Sequence, residues 1–329
     1  MNIAALSVND NVHGRLFLTK CEIRKTKTNK PYLYCVFFDG TNEYNGNVWD
    51  YIKSAPPAVG VYDVSCTIGE YNGKKQLANI EMSWSADQSI DEFARMYTPP
   101  AAVDDLMMKL GSTIQSISNP AILGIVLDVF DSVGGIAPDS PFMMSSSAVG
   151  MHHVGVHGNV YHTLEVVELA RHIAGALRVY GYDVNNDLIV AGALLHDIGK
   201  IDTYSTEVAQ IDMTADGRLL DHVYIGAKMI WGSRTARKYP KVARLLEHII
   251  LSHHGQKEYG SPVLPSMLEA LVVHMADGIS ASANSVYLAF KKAEDEQKDD
   301  MFTDRVYNMG NVGMLRPCYI QAVLEEANE

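Results

Sequence analysis

The stretch Ala193-Leu-Leu-His-Asp-Ile-Gly-Lys200 sets a histidine and an aspartate side by side in an apolar run and follows them with a glycine and a lysine. A buried unpaired charge costs several kcal/mol, and a metal ion is one of the few partners that satisfies an imidazole and a carboxylate together. The other histidines supply what such a site would lack. Eleven of the twelve fall between His152 and His274, where chance would put roughly four or five.

Outward from this stretch, helical periodicity is predicted from His152 to about Lys292. Tyr161–Tyr180 places His162, Val166, Ile173 and Leu177 on nearly one stripe, ended by Gly181. Asn186–Ile198 carries Ile189, Leu194 and Leu195; Asp221–Trp231 begins with His222; Val242–Ser252 ends in His253-His254-Gly255; Met267–Ser282 aligns Ala270, Val273 and Asp277. These helices bring His162, His196, Asp197, His222, His253, His254 and Asp277 to inward positions or helix ends.

Imidazole and carboxylate without cysteine favour borderline to hard divalent ions such as Mn²⁺, Fe²⁺, Co²⁺ or Ni²⁺. Seven candidate ligands exceed the needs of one tetrahedral ion. They suit two ions about 4 Å apart, bridged by Asp197 and a hydroxide, a pair able to clamp the attacking and leaving oxygens of a displacement at phosphorus. Lys200 lies one helical turn after His196, on the same face, where its ammonium could offset charge on phosphoryl oxygens. His13, His172 and His248 are read as packing or surface residues, and so are His152, His153, His157 and His274.

The first part of the chain has a different rhythm. Five short strands are predicted, over Gly14–Ile23, Tyr32–Asp39, Tyr44–Trp49, Val61–Ile68 and Gln76–Met82, with turns at Thr28–Pro31, Asp39–Asn42, Pro56-Pro57 and Tyr71–Lys74. Five strands in about 75 residues suit a small closed barrel of the OB-fold kind. Alternation assigns Leu33, Cys35 and Phe37 to its core and turns Tyr32 and Tyr34 outward. Beside those tyrosines the loop is basic, with Arg24, Lys25, Lys27 and Lys30. Aromatic rings next to such a loop form a stacking platform with an electrostatic attractor for single-stranded nucleic acid; a solvated hairpin with ordinary surface tyrosines is the plainer alternative.

Between the two parts, Ser89–Met96 and Val103–Val133 are predicted helical, broken by Thr98-Pro-Pro100, with Asn119-Pro120 opening a fresh helix. Gly134–Met151 reads as a loop, and Lys291–Asp300 as a solvated helix face or linker. The formal charge of −12 argues against a general polyanion binder, yet residues 1–86 carry nine Lys/Arg against eight Asp/Glu. The four cysteines are scattered, as expected of reduced thiols in a cytoplasmic protein. No apolar run reaches membrane-spanning length, and the first residues lack the pattern of a signal peptide.

These motifs resemble the HD-domain phosphohydrolases and, more narrowly, the YhaM-type 3′–5′ exoribonucleases, which join an OB-fold to an HD domain. The resemblance is carried by Met151-His-His-Val-Gly-Val-His157, Tyr161-His-Thr163, Ala191–Lys200, Gly217–Gly226, Leu251-Ser-His-His-Gly-Gln-Lys-Glu-Tyr-Gly-Ser-Pro262 and Glu269–Asp277. After Asp277 the chain reads Gly-Ile-Ser-Ala, where that family usually has Asn-Leu-Asp-Ala.

The resemblance implies a multidomain α and β protein: an OB-fold barrel over 1–86, a helical connecting region over 87–150, an all-α HD bundle over 151–300 and a tail over 301–329. It implies a Mn²⁺-type centre, a single-stranded RNA or DNA substrate, release of nucleoside 5′-monophosphates from the 3′ end, and a homo-oligomer. By motif position His162, His196, Asp197 and Asp277 match the core HD ligands, His222, His253 and His254 the additional histidines, and Lys200 the lysine after the HD pair. Two other readings stand beside it. One is an HD phosphodiesterase or phosphohydrolase of cyclic or oligonucleotide messengers or nucleotides. The other is a nucleic-acid-binding module with a structural metal.

Overall fold

Side chains that alternate inward and outward close the N-terminal strands on themselves. In the computed structural model, which describes residues 3–40, 42–49, 51, 53, 55–71, 73–88, 93, 102–149, 153–205, 211–296 and 298–326, the chain divides into two units. One is Met1–Arg95 with Thr206–Ile211, the other Met96–Ser205 with Asp212–Glu329. The Ser89–Met96 helix (Phe93 apart), the Thr98-Pro-Pro100 break, Asp50 and His152 lie outside the described residues.

In the first unit β1 (Asn11–Lys25), β2 (Pro31–Phe38), β3 (Glu43–Val48), β4 (Gly60–Tyr71) and β5 (Lys74–Trp84) form a closed barrel in the order β1-β2-β3-β5-β4. β3 and β5 pair parallel, and the other neighbours antiparallel. Leu33, Cys35 and Phe37 point inward as expected and pack with Leu16, Leu18, Val64 and Ile68. Asn29, at φ 64°, takes the left-handed corner of the β1–β2 hairpin, where the Thr26 N–H donates to Lys30 O. The expected OB-type barrel is thus present.

The second unit is helical: α1 (Val103–Gln115), α2 (Pro120–Ser132), α3 (Pro141–Met144), α4 (Gly158–Val179), α5 (Asn186–Leu195), α6 (Lys200–Thr203), a small ladder of β6 (Tyr204–Ser205) with β7 (Asp212–Met213), α7 (Ala215–Gly232), α8 (Arg234–Lys238), α9 (Pro240–Ser252) and α10 (Leu268–Asp295). Asn119 caps α2 by accepting from the Ala121 and Ile122 N–H groups, and Pro120 opens it, as its sequence suggests. α5 is buried at every position from Leu188 to Leu195, which makes it the central helix. Leu110, Ile114, Val126 and Phe130 of α1 and α2 enter the same core, so the stretch read as a connector helps to build the unit.

α10 continues through the charged run to Asp295, where Lys292 and Lys298 bind Asp304. Beyond it the last residues, about which the sequence says little, form a hairpin of β8 (Phe302–Val306) and β9 (Val312–Leu315), then α11 (Pro317–Glu326).

Candidate metal centre

Helix ends leave carbonyl groups without partners, and two of them orient imidazoles here. His196, at the C-cap of α5, donates from Nδ1 to Ala193 O at 2.8 Å. His253, at the C-cap of α9, donates from Nδ1 to Ile250 O at 2.7 Å. A carbonyl only accepts, so each ring carries its proton on Nδ1 and presents the Nε2 lone pair. His222 has its Nδ1 2.8 Å from Asp221 Oδ1, and His162 its Nδ1 2.9 Å from Ser280 Oγ.

All four Nε2 atoms face Asp197, whose two oxygens divide them. Oδ2 lies 3.4 Å from His162 and 3.3 Å from His196, while Oδ1 lies 3.5 Å from His222 and 3.7 Å from His253. Asp277 Oδ1 joins the first pair, 3.2 Å from His162 Nε2. His254 joins the second, its ring centroid 4.2 Å from that of His253 and 5.0 Å from that of His222. Two donor sets result, His162/His196/Asp197 and His222/His253/His254, each with its ligand atoms within 4.8 Å of one another. Ligand atoms bound to one ion at about 2.1 Å are separated by roughly 3.0–3.4 Å, the spacing found at the first set.

The donor set itself tests whether a cation belongs here. Asp197 Oδ1, His222 Nε2, His253 Nε2 and His254 Nδ1 are buried and make no hydrogen bond. Each unsatisfied group costs about 1–3 kcal/mol. Divalent ions between them would satisfy all four, so the residues fit a divalent-metal site.

The electrostatics agree. Burial presses the His253 and His254 pKa values down, and neighbouring imidazoles add to it, so both rings are neutral in the form that ligates. Burial alone would raise Asp197, but Lys200 and His196 outweigh it and hold the carboxyl well below its ordinary range. Asp277 is lowered likewise, the adjacent His162 and His196 rings outweighing its burial. Burial would lower Lys200, but Asp197 outweighs it, and the ammonium sits 2.6 Å from Asp197 Oδ2 and 3.4 Å from Ser147 Oγ.

Two glycines let the backbone close around these groups. A Cβ on Gly199 would lie 2.1 Å from His222 O and 2.6 Å from Gly226 N, so only glycine lets the turn after Asp197 press against α7. Gly255 has φ 75°, and a Cβ there would lie 2.2 Å from the His274 ring, whose Nδ1 donates to His253 O at 2.7 Å.

All seven residues expected as ligands therefore converge, with Lys200 beside them. Reading by sequence missed Asp221, Glu165, Ser280 and the supporting part of His153 and His274. Asp221 interrupts α7 at φ 64°, ψ 151°, a conformation that costs a side-chain-bearing residue about 1–3 kcal/mol, and its carboxylate meets His222. Its position directly before His222 is the available signal; Glu165 and Ser280 follow His162 and Asp277 by three residues, which puts them on the same helix faces.

On the barrel, the Arg24 guanidinium lies 3.8 Å from the centroid of the Tyr34 ring and is bound to Glu22 at 2.7 Å. The Tyr34 hydroxyl donates to Asn45 Oδ1, and the Tyr32 ring lies 4.9 Å from that of Trp49. Trp49 is 59% exposed and widens the aromatic surface beyond the two tyrosines. Lys25, Lys27 and Lys30 are exposed on the adjoining hairpin.

Residues 159–282 match the HD domain family, and most of that stretch lies in the helical unit. The likeness runs much further than that domain. The chain is 29% identical over 307 residues to the 3′-5′ exoribonuclease YhaM of Geobacillus sp. (strain WCH70), covering 90% of this chain and 89% of that protein. It is 29% identical to the protein of the same name from Listeria innocua (92% and 94% covered) and 28% identical to that of Bacillus subtilis (88% and 90% covered). No solved structure matches the chain. The resemblance read from the motifs is borne out over most of the sequence. No helix among the described residues is long and apolar enough to cross a membrane.

Proposed function

We propose that this protein is a metal-dependent 3′–5′ exonuclease that shortens single-stranded RNA, with DNA as a second substrate, and releases nucleoside 5′-monophosphates. The observation that carries the proposal is the convergence of four Nε2 atoms on the two oxygens of one buried carboxylate, Asp197. When bound, a pair of divalent ions, Mn²⁺ first among them, supplies Lewis-acid stabilisation at phosphorus and an acidified water. His162, His196, Asp197 and Asp277 would hold one ion, and His222, His253 and His254 with the other oxygen of Asp197 the second.

The remaining chemistry belongs to the chain's own side chains. Lys200 is held by Asp197 at a fixed point in the site, where its charge offsets negative charge building on phosphoryl oxygens. Burial of these groups strengthens each interaction relative to water. Over residues 1–86, Arg24, Lys25, Lys27, Lys30, Tyr32 and Tyr34 would bind the strand through phosphate contacts and base stacking, with 151–300 as the cutting domain. Four free thiols fit a cytoplasmic enzyme, and a homo-oligomer, implied by the motif resemblance, is part of the same proposal.

The test is digestion of 5′-labelled single-stranded RNA with Mn²⁺. A ladder shortening from the 3′ end, with mononucleotides released and EDTA stopping the reaction, is expected. A single internal cut, or cleavage of cyclic dinucleotides with none of RNA, would overturn the proposal.

A further inference from the structure

Ser280 of α10 stands between two side chains of α4. Its Oγ lies 2.9 Å from His162 Nδ1 and donates to Glu165 Oε2 at 2.6 Å. A serine hydroxyl has one proton, and an ionised carboxylate can only accept. Burial would raise Glu165, but its contacts with His153 and Ser280 outweigh that and leave the carboxyl below its ordinary range. The Ser280 proton therefore goes to Glu165, and the Ser280 oxygen receives the Nδ1 proton of His162. Nε2 is then the ring nitrogen turned to Asp277 Oδ1 at 3.2 Å and Asp197 Oδ2 at 3.4 Å.

The network is itself anchored. His153 Nε2 lies 3.2 Å from Glu165 Oε2, and the His153 N–H donates to Asn284 Oδ1 at 2.9 Å, one turn along α10 from Ser280. Backbone carbonyls orient His196 and His253. His162 instead depends on side chains that substitution can remove.

From this arrangement we infer that Glu165 and Ser280 are positioning residues for the metal site: they lock His162 in its Nδ1–H tautomer and aim Nε2 at the ion, the carboxylate acting through the serine hydroxyl. The inference rests on the metal-site reading above. Outer partners of this kind change metal affinity by about 10- to 100-fold when removed.

The test measures Mn²⁺ affinity by the electron paramagnetic resonance signal of free Mn²⁺, with RNA digestion as a second readout. Ser280→Ala should raise the Mn²⁺ Kd about 10- to 100-fold, while Ser280→Thr, which keeps the hydroxyl, stays near wild type. Glu165→Ala should match Ser280→Ala, and the double variant should be no worse than either, because the two groups act in series. At saturating Mn²⁺ the variants should regain most of their kcat, which general damage to the fold would not permit. Glu165 is 36% exposed at its side chain, so Glu165→Ala tests the same link if Ser280→Ala folds poorly.

Wild-type affinity in both alanine variants, additive losses in the double variant, or a kcat that stays low at saturating Mn²⁺ would each overturn the inference. A wild-type chain that takes up no Mn²⁺ would overturn the metal-site reading and this inference with it. Normal uptake by both wild type and variants sinks the inference alone.

Discussion

Lys200 holds its ammonium 2.6 Å from Asp197 Oδ2, and both side chains are buried. One turn of backbone thus places a cation against the carboxylate on which four imidazoles converge. The pair is locally balanced, but neither member is neutral in its effect if the other is removed, because an uncompensated buried charge remains.

Asp197→Ala should abolish both hydrolysis and stoichiometric metal binding, and should cost about 3–5 kcal/mol of stability in EDTA by stranding Lys200. Lys200→Met should keep the metal and lower kcat by about 10²–10³. Metal analysis and turnover on the purified variants separate the two roles; full metal content in Asp197→Ala would show that the site lies elsewhere.

Gly199→Ala adds a methyl where His222 O and Gly226 N already crowd the turn. The expected result is a loss of about 1–3 kcal/mol from overpacking and weaker metal binding, as α7 and His222 move away. Denaturant melts and Mn²⁺ titration check it, and a variant as stable as wild type would mean that the turn and α7 are not so closely packed.

Replacing Lys25, Lys27 and Lys30 with alanine should flatten the dependence of log Kd for single-stranded RNA on log salt, by roughly 0.7 for each phosphate that is no longer neutralised. Tyr32→Ala should cost about 1–3 kcal/mol if one base stacks there. Hydrolysis of a small model diester should be unchanged in both; parallel losses on diester and strand would contradict separate roles for barrel and helical domain.

Asp128 accepts from Ser233 Oγ at 2.7 Å and from the Thr235 N–H at 2.8 Å, and these bonds lower its pKa. A depressed carboxyl contributes stability that is complete above its unfolded pKa of about 3.9 and is lost as pH falls through the lower folded value. Wild type should therefore lose more Tm than Asp128→Asn between about pH 5 and pH 3. Parallel curves would remove Asp128 from the acid response.

Removing metal should destabilise the helical unit, since ions that bind only the folded state stabilise it by mass action. At a hundred times Kd the effect is about 2.7 kcal/mol. The Tm should fall on adding EDTA and recover with Mn²⁺; Asp197→Ala should show neither change.

Much of the site was legible because its ligands sit in motifs with short, regular spacing. His196, Asp197 and Lys200 share one turn, His253 and His254 are adjacent, and the periodicity around His162 and Asp277 marks the buried faces of α4 and α10. The outer partners were less legible. Ser280 falls in the Gly278–Ala281 segment, where the chain departs from the family motif, and a lone serine carries no directional signal until its neighbours are known. Trp49 and Glu22 likewise alter the barrel surface through side-chain pairings that no pattern of alternation displays.

Local chemistry alone accounted for the barrel, the helices that carry the ligands and the identity of the seven converging side chains, because alternation, period and capping act within a few residues of each other; α3 and the elements after α10 were not read from it. The division of the Asp197 oxygens between two donor sets, the hydroxyl link from Glu165 to His162 and the use of helix-end carbonyls to orient imidazoles arose only from packing. Those features are distances and proton directions between segments up to more than a hundred residues apart, and such quantities exist only once the helices are in contact.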